Sequence, residues 1–592
     1  MAPESTPQLL TAQEVADRLG TSVATVKLAC KNRELRASKI GRAWAVTPEH
    51  ADAWWQNRTA SVGRPSVSIP KFNLITERWL PVSMPNGTTT RIAPWEMAAD
   101  PNPKGLVLPR PDFDVSILEF LIGLIQTVCP PKSPSGWQAW RETPPEPATL
   151  LAAMEPFLPY FNLLGERPLF MQDLTLSSEE ENVLGIASLL IDSPGENALK
   201  KDTDFFVKRG RVETLCPACA AMALYTMQTF APAGGPGHRT SLRGGGPLST
   251  LVLGKTLWET VWSNVLIAEA DTQCMPPIHD VGRVFPWTVP TRISDGKGTE
   301  YLPEHGHPLH TYWGMPRRYR LHAQQGSPEE CDICGDRTAT TVRSVGTRPY
   351  GNNYTGWRHP LTPYYEYGKS KDLVPCKGTW SKTNFTVWGD YVFGTENEKG
   401  LRTYPALCVA QFAGLGIAPA HIQAAGYDMS LNAADAWCEV HMPLYPLPTD
   451  ANTALRDESV LWISVAKFLN ANLLKGLKKA LFADGGRKSS NENTVLANAS
   501  RSFYSRVETV FARLVSEFAQ QHRAELESEE DVQKIRRKVW ASAILAAADD
   551  IFNEQAGTSH FDARTAPRVY GALNEMRRFN RSLCNKELGL KD

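Results

Sequence analysis

Long apolar runs are missing from this chain of 592 residues. No stretch of about 18 residues is both apolar and uncharged, which excludes a spanning helix on length alone. The best candidate, residues 117–128, carries Glu119 and Gln126 and reads as a helix buried inside a folded core. Net charge is missing as well. Lys plus Arg and Asp plus Glu number 63 each, so any surface for a polyanion must be a local patch. Cysteine is scarce: eleven residues in so long a chain do not make a secreted disulfide scaffold. The opening MAPESTPQLL has no basic-then-apolar signal region, and a cytoplasmic protein without a membrane partner is expected. Tandem repeats and low-complexity tracts are absent.

Catalytic signatures are missing too. There is no HExxH, no GxSxG, no phosphate loop ending in GKT or GKS, and no paired acidic motif at a nuclease's spacing. A free-standing enzyme is therefore not expected. One histidine cluster, His305, His307 and His310 with Glu304 beside it, could bind metal but reads better as structural.

What is present is length and ordinary apolar content, 42%, enough for several packed domains. Residues 1–60 are short, helical and basic. Residues 61–70 are rich in Ser, Gly and Pro and read as a linker. Residues 71–447 are rich in Pro, Gly and Trp, with short strands between helices, and read as one large irregular α+β domain. Residues 448–592 turn helical. Apolar residues at 503, 507, 510, 511, 514 and 518 fall on one helical face, and similar faces over 460–482, 532–551 and 564–583 complete a four-helix bundle. The fold class expected is α+β: a small winged helix-turn-helix, a large α+β domain with a zinc knuckle, and a C-terminal four-helix bundle.

In the first region, Thr11 and Glu14 form a capping box at the start of a helix. A second helix follows a short turn, then a hairpin around Gly41 and Arg42, then a helix with Pro48 at its first position. Residues 9–57 resemble the excisionase and MerR-like winged helix domains. The resemblance implies DNA contact by Lys27, Lys31 and Arg33 and by the wing residues Lys39 and Arg42. A protein-docking or vestigial module is the alternative.

Two CxxC pairs, Cys216 with Cys219 and Cys331 with Cys334, lie over a hundred residues apart. Each pair can share one metal, and together they complete a closed tetrahedral four-thiolate zinc site of structural kind. Redox thiols or simple buried cysteines are the alternatives. Basic loops adjoin both pairs. Phe206, Val207 and Lys208 precede the first. The Gly-rich run 234–247, with Arg239 and Arg243, follows it, and its backbone amides suit phosphate; a nucleotide pocket is the competing reading. Beyond the second pair, residues 337–382 hold eight Lys or Arg against two acids. Arg348, Asn352, Asn353 and Tyr354 lie there, a mixture suited to nucleic acid. A solvated loop over an aromatic core is the bland alternative.

The runs FNLITERWLPV from 72, DSPGEN from 192, TDFF from 203, LCPACAA from 215, SLRGGGPL from 241, YWGMPRR from 312, NYTGW from 353 and HPLTPY from 359 together resemble the large subunit of the type I-E CRISPR Cascade complex, the CasA family. Coverage is about residues 70–590. The resemblance implies a subunit bound to other Cascade subunits and to CRISPR RNA. It implies recognition of the protospacer-adjacent motif in double-stranded target DNA, help in opening that duplex, and recruitment in trans of a helicase-nuclease. It also implies a bundle that docks on small subunits and the displaced strand. Phe206, Val207, Lys208, Arg348, Asn352, Asn353, Tyr354 and the Gly-rich loop would form the DNA face. A wedge is expected after Gly426-Tyr427, where Leu431 and Asn432 would separate strands. The rival is a transcription regulator that binds an operator through its head.

Overall fold

The computed structural model describes residues 9–19, 21, 23–31, 35, 37–40, 43–60, 70–202, 209–268, 278–397, 399–417, 419–430, 433–482, 490–523, 530–556 and 565–590. Residues 61–69 of the expected linker 61–70, and Arg33, Arg42, Phe206, Val207, Lys208, Leu431 and Asn432, lie outside the described residues. The chain divides into two compact units, Met1–Ile69 and Pro70–Asp592.

In the first unit a short strand, Leu10–Thr11, leads into α1 (Ala12–Leu19) and α2 (Val23–Lys31), then a hairpin of β1 (Ser38–Ile40) and β2 (Ala43–Val46), on which Leu10–Thr11 pairs with β2, then α3 (Pro48–Ala60). The capping box forms as its chemistry requires. Glu14 accepts from the Thr11 amide at 2.7 Å, and Thr11 Oγ1 accepts from the Glu14 amide at 3.3 Å. Val15, Val26, Leu35, Val46 and Trp54 bury a small core of their own, and Arg18 pairs with Asp52 to tie α1 to α3.

The second unit is built around α4 (Pro111–Val128), a mainly apolar helix buried on nearly every side, its Glu119 and Gln126 included. Beside it lies α5 (Pro217–Phe230), also buried. Phe120, Phe161, Phe170, Tyr225, Trp287 and Trp313 pack edge-on and stacked around α4, geometries that aromatic quadrupoles favour. Two antiparallel sheets carry the loops of interest. In one, β3 (Ser249–Leu253) and the hairpin of β6 (Ala420–Ser430) and β7 (Ala433–Leu444) run in the order β3-β6-β7. In the other, the long hairpin of β4 (Arg318–Glu330) and β5 (Arg337–Arg348) takes Asn182–Gly185 as a third strand on β5.

Four long helices close the unit: α6 (Thr449–Leu481), α7 (Ser490–Arg523), α8 (Glu530–Ala556) and α9 (Ala566–Glu587). Phe503, Val507, Phe511, Leu514 and Phe518 are buried along α7 on the face that the spacing predicts. Phe385 and Trp388, before the bundle in sequence, insert rings against Phe511, and Phe385 also meets Trp540. One apolar core therefore runs from α4 to the bundle. Among the described residues no helix is long and apolar enough to cross a membrane.

Candidate metal centre and nucleic-acid face

Cys216 caps the N-terminus of α5, where its sulfur accepts from the Cys219 amide at 3.4 Å. This places both sulfurs of the first pair on one side of the helix start. Cys331 and Cys334 sit in the turn between β4 and β5. There the Cys331 amide donates to Asp336 O at 2.8 Å and the Gly335 amide to Cys331 O at 2.9 Å. Gly335 has a φ of 78°, a left-handed value that a side chain resists.

The two pairs meet. All four sulfurs lie within 4.8 Å of one another, and Cys216 Sγ is 3.7 Å from Cys334 Sγ. Sulfurs about 2.3 Å from a central tetrahedral ion stand about 3.8 Å apart, so this spacing could hold one metal. Hydrogen bonding among the four thiols shifts them in opposite directions, Cys331 and Cys334 below and Cys216 and Cys219 above their ordinary values, as thiols sharing protons at close range must. Backbone contacts reinforce the junction. Asp332 accepts from the Glu213 and Thr214 amides, both at 2.7 Å, and Leu215 and Val342 exchange amide bonds at 3.0 and 2.9 Å. Among the described residues this is the group of His, Cys and acidic side chains placed to hold an ion. The histidine cluster serves the backbone instead: His305 Nδ1 accepts from the Leu302 amide and His307 Nδ1 from the Leu309 amide. Burial lowers His310 to about 3, so it is neutral near pH 7.

At the far end of the β4–β5 hairpin two of the sequence's loops come together. The Tyr350 amide donates to Gly237 O at 2.8 Å, joining the Gly-rich loop to the segment after β5. Ser294, which sequence reasoning missed, bridges the same point. Its hydroxyl donates to Gly351 O at 2.6 Å, its amide donates to Tyr350 O at 3.1 Å, and Arg239 Nε donates to its hydroxyl at 2.8 Å. Arg317 was also missed. It is 8% exposed, has no carboxylate partner among the described residues, and donates to Pro232 O at 2.6 Å just before the loop. Nothing local in the sequence distinguishes it from a surface arginine.

Arg239 spends its guanidinium on Ser294, and three more of the expected contacts are also used internally. Arg243 is buried, and its guanidinium meets Glu119 of α4 at 2.8 Å, Ser249 at 3.0 Å and Thr362 at 2.9 Å. It is not available to a phosphate, because a buried guanidinium needs an internal counter-charge. Asn352 is 2% exposed and donates to Met315 O at 2.9 Å, so its amide is spent on backbone rather than on a base edge. The Tyr354 hydroxyl accepts from the Met315 amide at 2.9 Å and lies 2.9 Å from His310 Nε2, with Tyr301 and Trp357 around its ring. For these two residues the aromatic-core reading of the segment holds.

Arg348 is different. It ends β5, is half-exposed, and pairs with the similarly exposed Glu180 at 2.9 Å. Such a pair is worth about 0–1 kcal/mol, so a phosphate can replace Glu180 at little cost. Asn353 is half-buried in a short parallel pairing with Glu300. In the first unit Lys27 is exposed on α2, and Lys39 is exposed on β1 with its ammonium 5.6 Å from the Trp44 ring centre; Lys31 is the last residue of α2.

Comparison with known proteins bears on this arrangement. Residues 73–551 match the family described as CRISPR-associated protein Cse1, and residues 9–59 match a helix-turn-helix domain family. Among solved structures the chain resembles CasA of Thermus thermophilus at 19% identity and a TM-score of 0.63, covering 86% of this chain and 100% of that one. It resembles Cse1 of Thermobifida fusca at 18% identity and a TM-score of 0.64, covering 88% and 99%. A chain from a structure described as a CRISPR RNA-guided surveillance complex aligns at 18% identity with a TM-score of 0.60, over 86% and 100%. At such identities the structural likeness is one of fold.

Proposed function

The chain belongs to the CRISPR-associated Cse1 family, and from that premise we propose that it is the large subunit of a CRISPR RNA-guided surveillance complex. In that role it binds other Cascade subunits and the guide RNA, reads a protospacer-adjacent motif in duplex DNA, and helps the duplex open. It then recruits a separate helicase-nuclease, so cutting belongs to the partner.

One observation carries the DNA-reading part. The Gly-rich loop and the segment after β5, over a hundred residues apart in sequence, are joined at Gly237 and Tyr350 beside the half-exposed Arg348. Exposed glycine backbone there can approach phosphates closely, and Arg348 adds an exchangeable cation. Reading a short motif by a few such contacts suits a system in which guide pairing supplies most sequence specificity.

Zinc fits the four cysteines in number, softness and spacing. A closed four-thiolate site leaves no open position, so the ion's part is to clip the start of α5 to the β4–β5 hairpin. The head adds a helix-turn-helix whose exposed Lys27 and Lys39 suit backbone contact with DNA. The rival regulator reading leans on that head alone.

The test is guide-dependent binding of duplex targets by the assembled complex. Motif-bearing duplex should bind at least ten-fold tighter than motif-free duplex when this subunit is present. Equal affinity for the two would contradict the proposal.

A further inference from the structure

Three backbone segments cross beside the β6–β7 hairpin. The Gly378 amide donates to Gly246 O at 3.1 Å, the Leu248 amide donates to Cys376 O at 2.9 Å, and bridges join Lys377 to Pro247 and Gly378 to Asp428. The crossing is tight. A Cβ on residue 378 would lie 2.7 Å from Gly426 C and from Tyr427 O, closer than carbon can approach them. The Gly-rich loop, the hairpin and the segment around Gly378 are therefore held as one body.

From that crossing the chain turns outward into a single helical turn, Trp380–Lys382. The Trp380 amide donates to Asp428 Oδ2 at 2.8 Å, and Thr383 Oγ1 donates to Trp380 O at 2.9 Å. The backbone is fixed, yet the indole is 50% exposed. Among the described residues no other ring stacks on it. Trp388, eight residues on, shows the alternative, buried against Phe393 and Phe511. Lys377 and Lys382 are exposed on either side of Trp380, and no described carboxylate pairs with either.

A large flat ring in water forgoes the free energy that burial would give, and here its neighbours supply what a base and its phosphates need. A rigidly mounted, exposed indole between two unpaired ammonium groups is the arrangement that holds single-stranded nucleic acid, in which rings stack on bases and cations hold phosphates. We propose that Trp380 is a stacking platform for an unpaired base of the opened target, with Lys377 and Lys382 holding the flanking phosphates. The inference rests on the duplex-opening reading above and adds the surface that receives a base once it leaves the duplex. Its place on the body that carries both the Gly-rich loop and the hairpin puts capture beside recognition.

The experiment uses the assembled complex with its guide RNA and follows permanganate reactivity of thymines next to the motif. Wild-type, W380L, W380F and the pair K377Q/K382Q are compared. W380L should slow opening about ten-fold, the scale of one lost base–aromatic stack, while W380F keeps most of the rate. The lysine pair should lower the salt dependence of target binding by about one to two phosphate contacts. If wild-type opens the duplex and W380L opens it at the same rate, the platform is refuted and the duplex-opening reading stands. If wild-type itself opens nothing, that reading fails first. Should W380L instead lose incorporation into the complex, Trp380 is a protein-docking residue and the proposal is overturned.

Discussion

Arg243 and Glu119 form an ion pair inside the second unit, 2.8 Å apart, with side chains 3% and 1% exposed. The pair ties the Gly-rich run to the middle of α4, across 124 positions of sequence. Ser249 shares the same carboxylate by donating to Glu119, and Arg243 reaches Thr362 as well. The network fixes the foot of a loop whose outer part is exposed.

Breaking one partner of such a pair leaves the other charged and unpaired in the core. R243M should therefore destabilise the chain by about 3–5 kcal/mol in chemical denaturation. The double variant E119Q/R243M removes both charges and should recover most of that loss. A phosphate-contacting Arg243 would behave otherwise: R243M would leave stability unchanged and weaken DNA binding alone.

Arg348 should show the reverse pattern. Its exposed pairing with Glu180 contributes little to stability, so R348A should leave the melting temperature and guide-complex assembly within error. Target-duplex affinity should fall, and the slope of log affinity against log salt should lose about one unit. E180Q removes the competing anion and should strengthen duplex binding. Equal loss of assembly and duplex binding in R348A would make Arg348 architectural.

The contrast between these two arginines marks what the sequence could and could not say. Both lie in basic, glycine- or aromatic-rich stretches, and composition treats them alike. Their fates depend on partners far along the chain: Glu119 lies in the apolar run 117–128 of α4, and nothing in that run shows where its carboxylate points. Asn352 and Tyr354 fail for the same reason, since the Met315 backbone they serve is 37 and 39 residues away. Local patterns were legible. The period of 503–518, the capping box at Thr11 and Glu14, and the buried α4 rest on spacing alone. The CxxC pairs were legible too, because thiolate chemistry allows few uses for that spacing in so cysteine-poor a chain. Trp380 had a signal in the basic segment 337–382, but only the fold reveals that this ring is exposed while Trp357 and Trp388 are buried.

The metal clip makes its own prediction. Purified chain should carry about one zinc per molecule by elemental analysis, and C331S/C334S should lose it. Because the cysteines join α5 to the β4–β5 hairpin, the variant should melt earlier and lose motif-dependent binding through loop displacement, without touching DNA itself. A metal-free wild-type protein of unchanged stability would remove the clip.

Asp114 supplies a pH dependence. Burial, with the nearby charges of Glu439 and Asp112, raises its carboxyl from 3.8 to about 7, against the Leu108 amide bond that lowers it. The folded state therefore holds this proton over a range where the unfolded state has released it. Stability from this group is intact below about pH 4 and declines as pH rises toward 7. D114N cannot ionise, so its stability relative to wild type should climb between pH 4 and pH 7 and level off above. Denaturation midpoints of the two proteins across that range check the sign; a constant difference would mean that folding leaves the Asp114 carboxyl unshifted.

The central claim is that this subunit makes target opening depend on a short motif. The direct measurement is permanganate footprinting of motif-bearing and motif-free duplexes by the guide-loaded complex, assembled with and without this chain. The account predicts thymine reactivity next to the motif only when both chain and motif are present. Equal reactivity after the chain is omitted would contradict it.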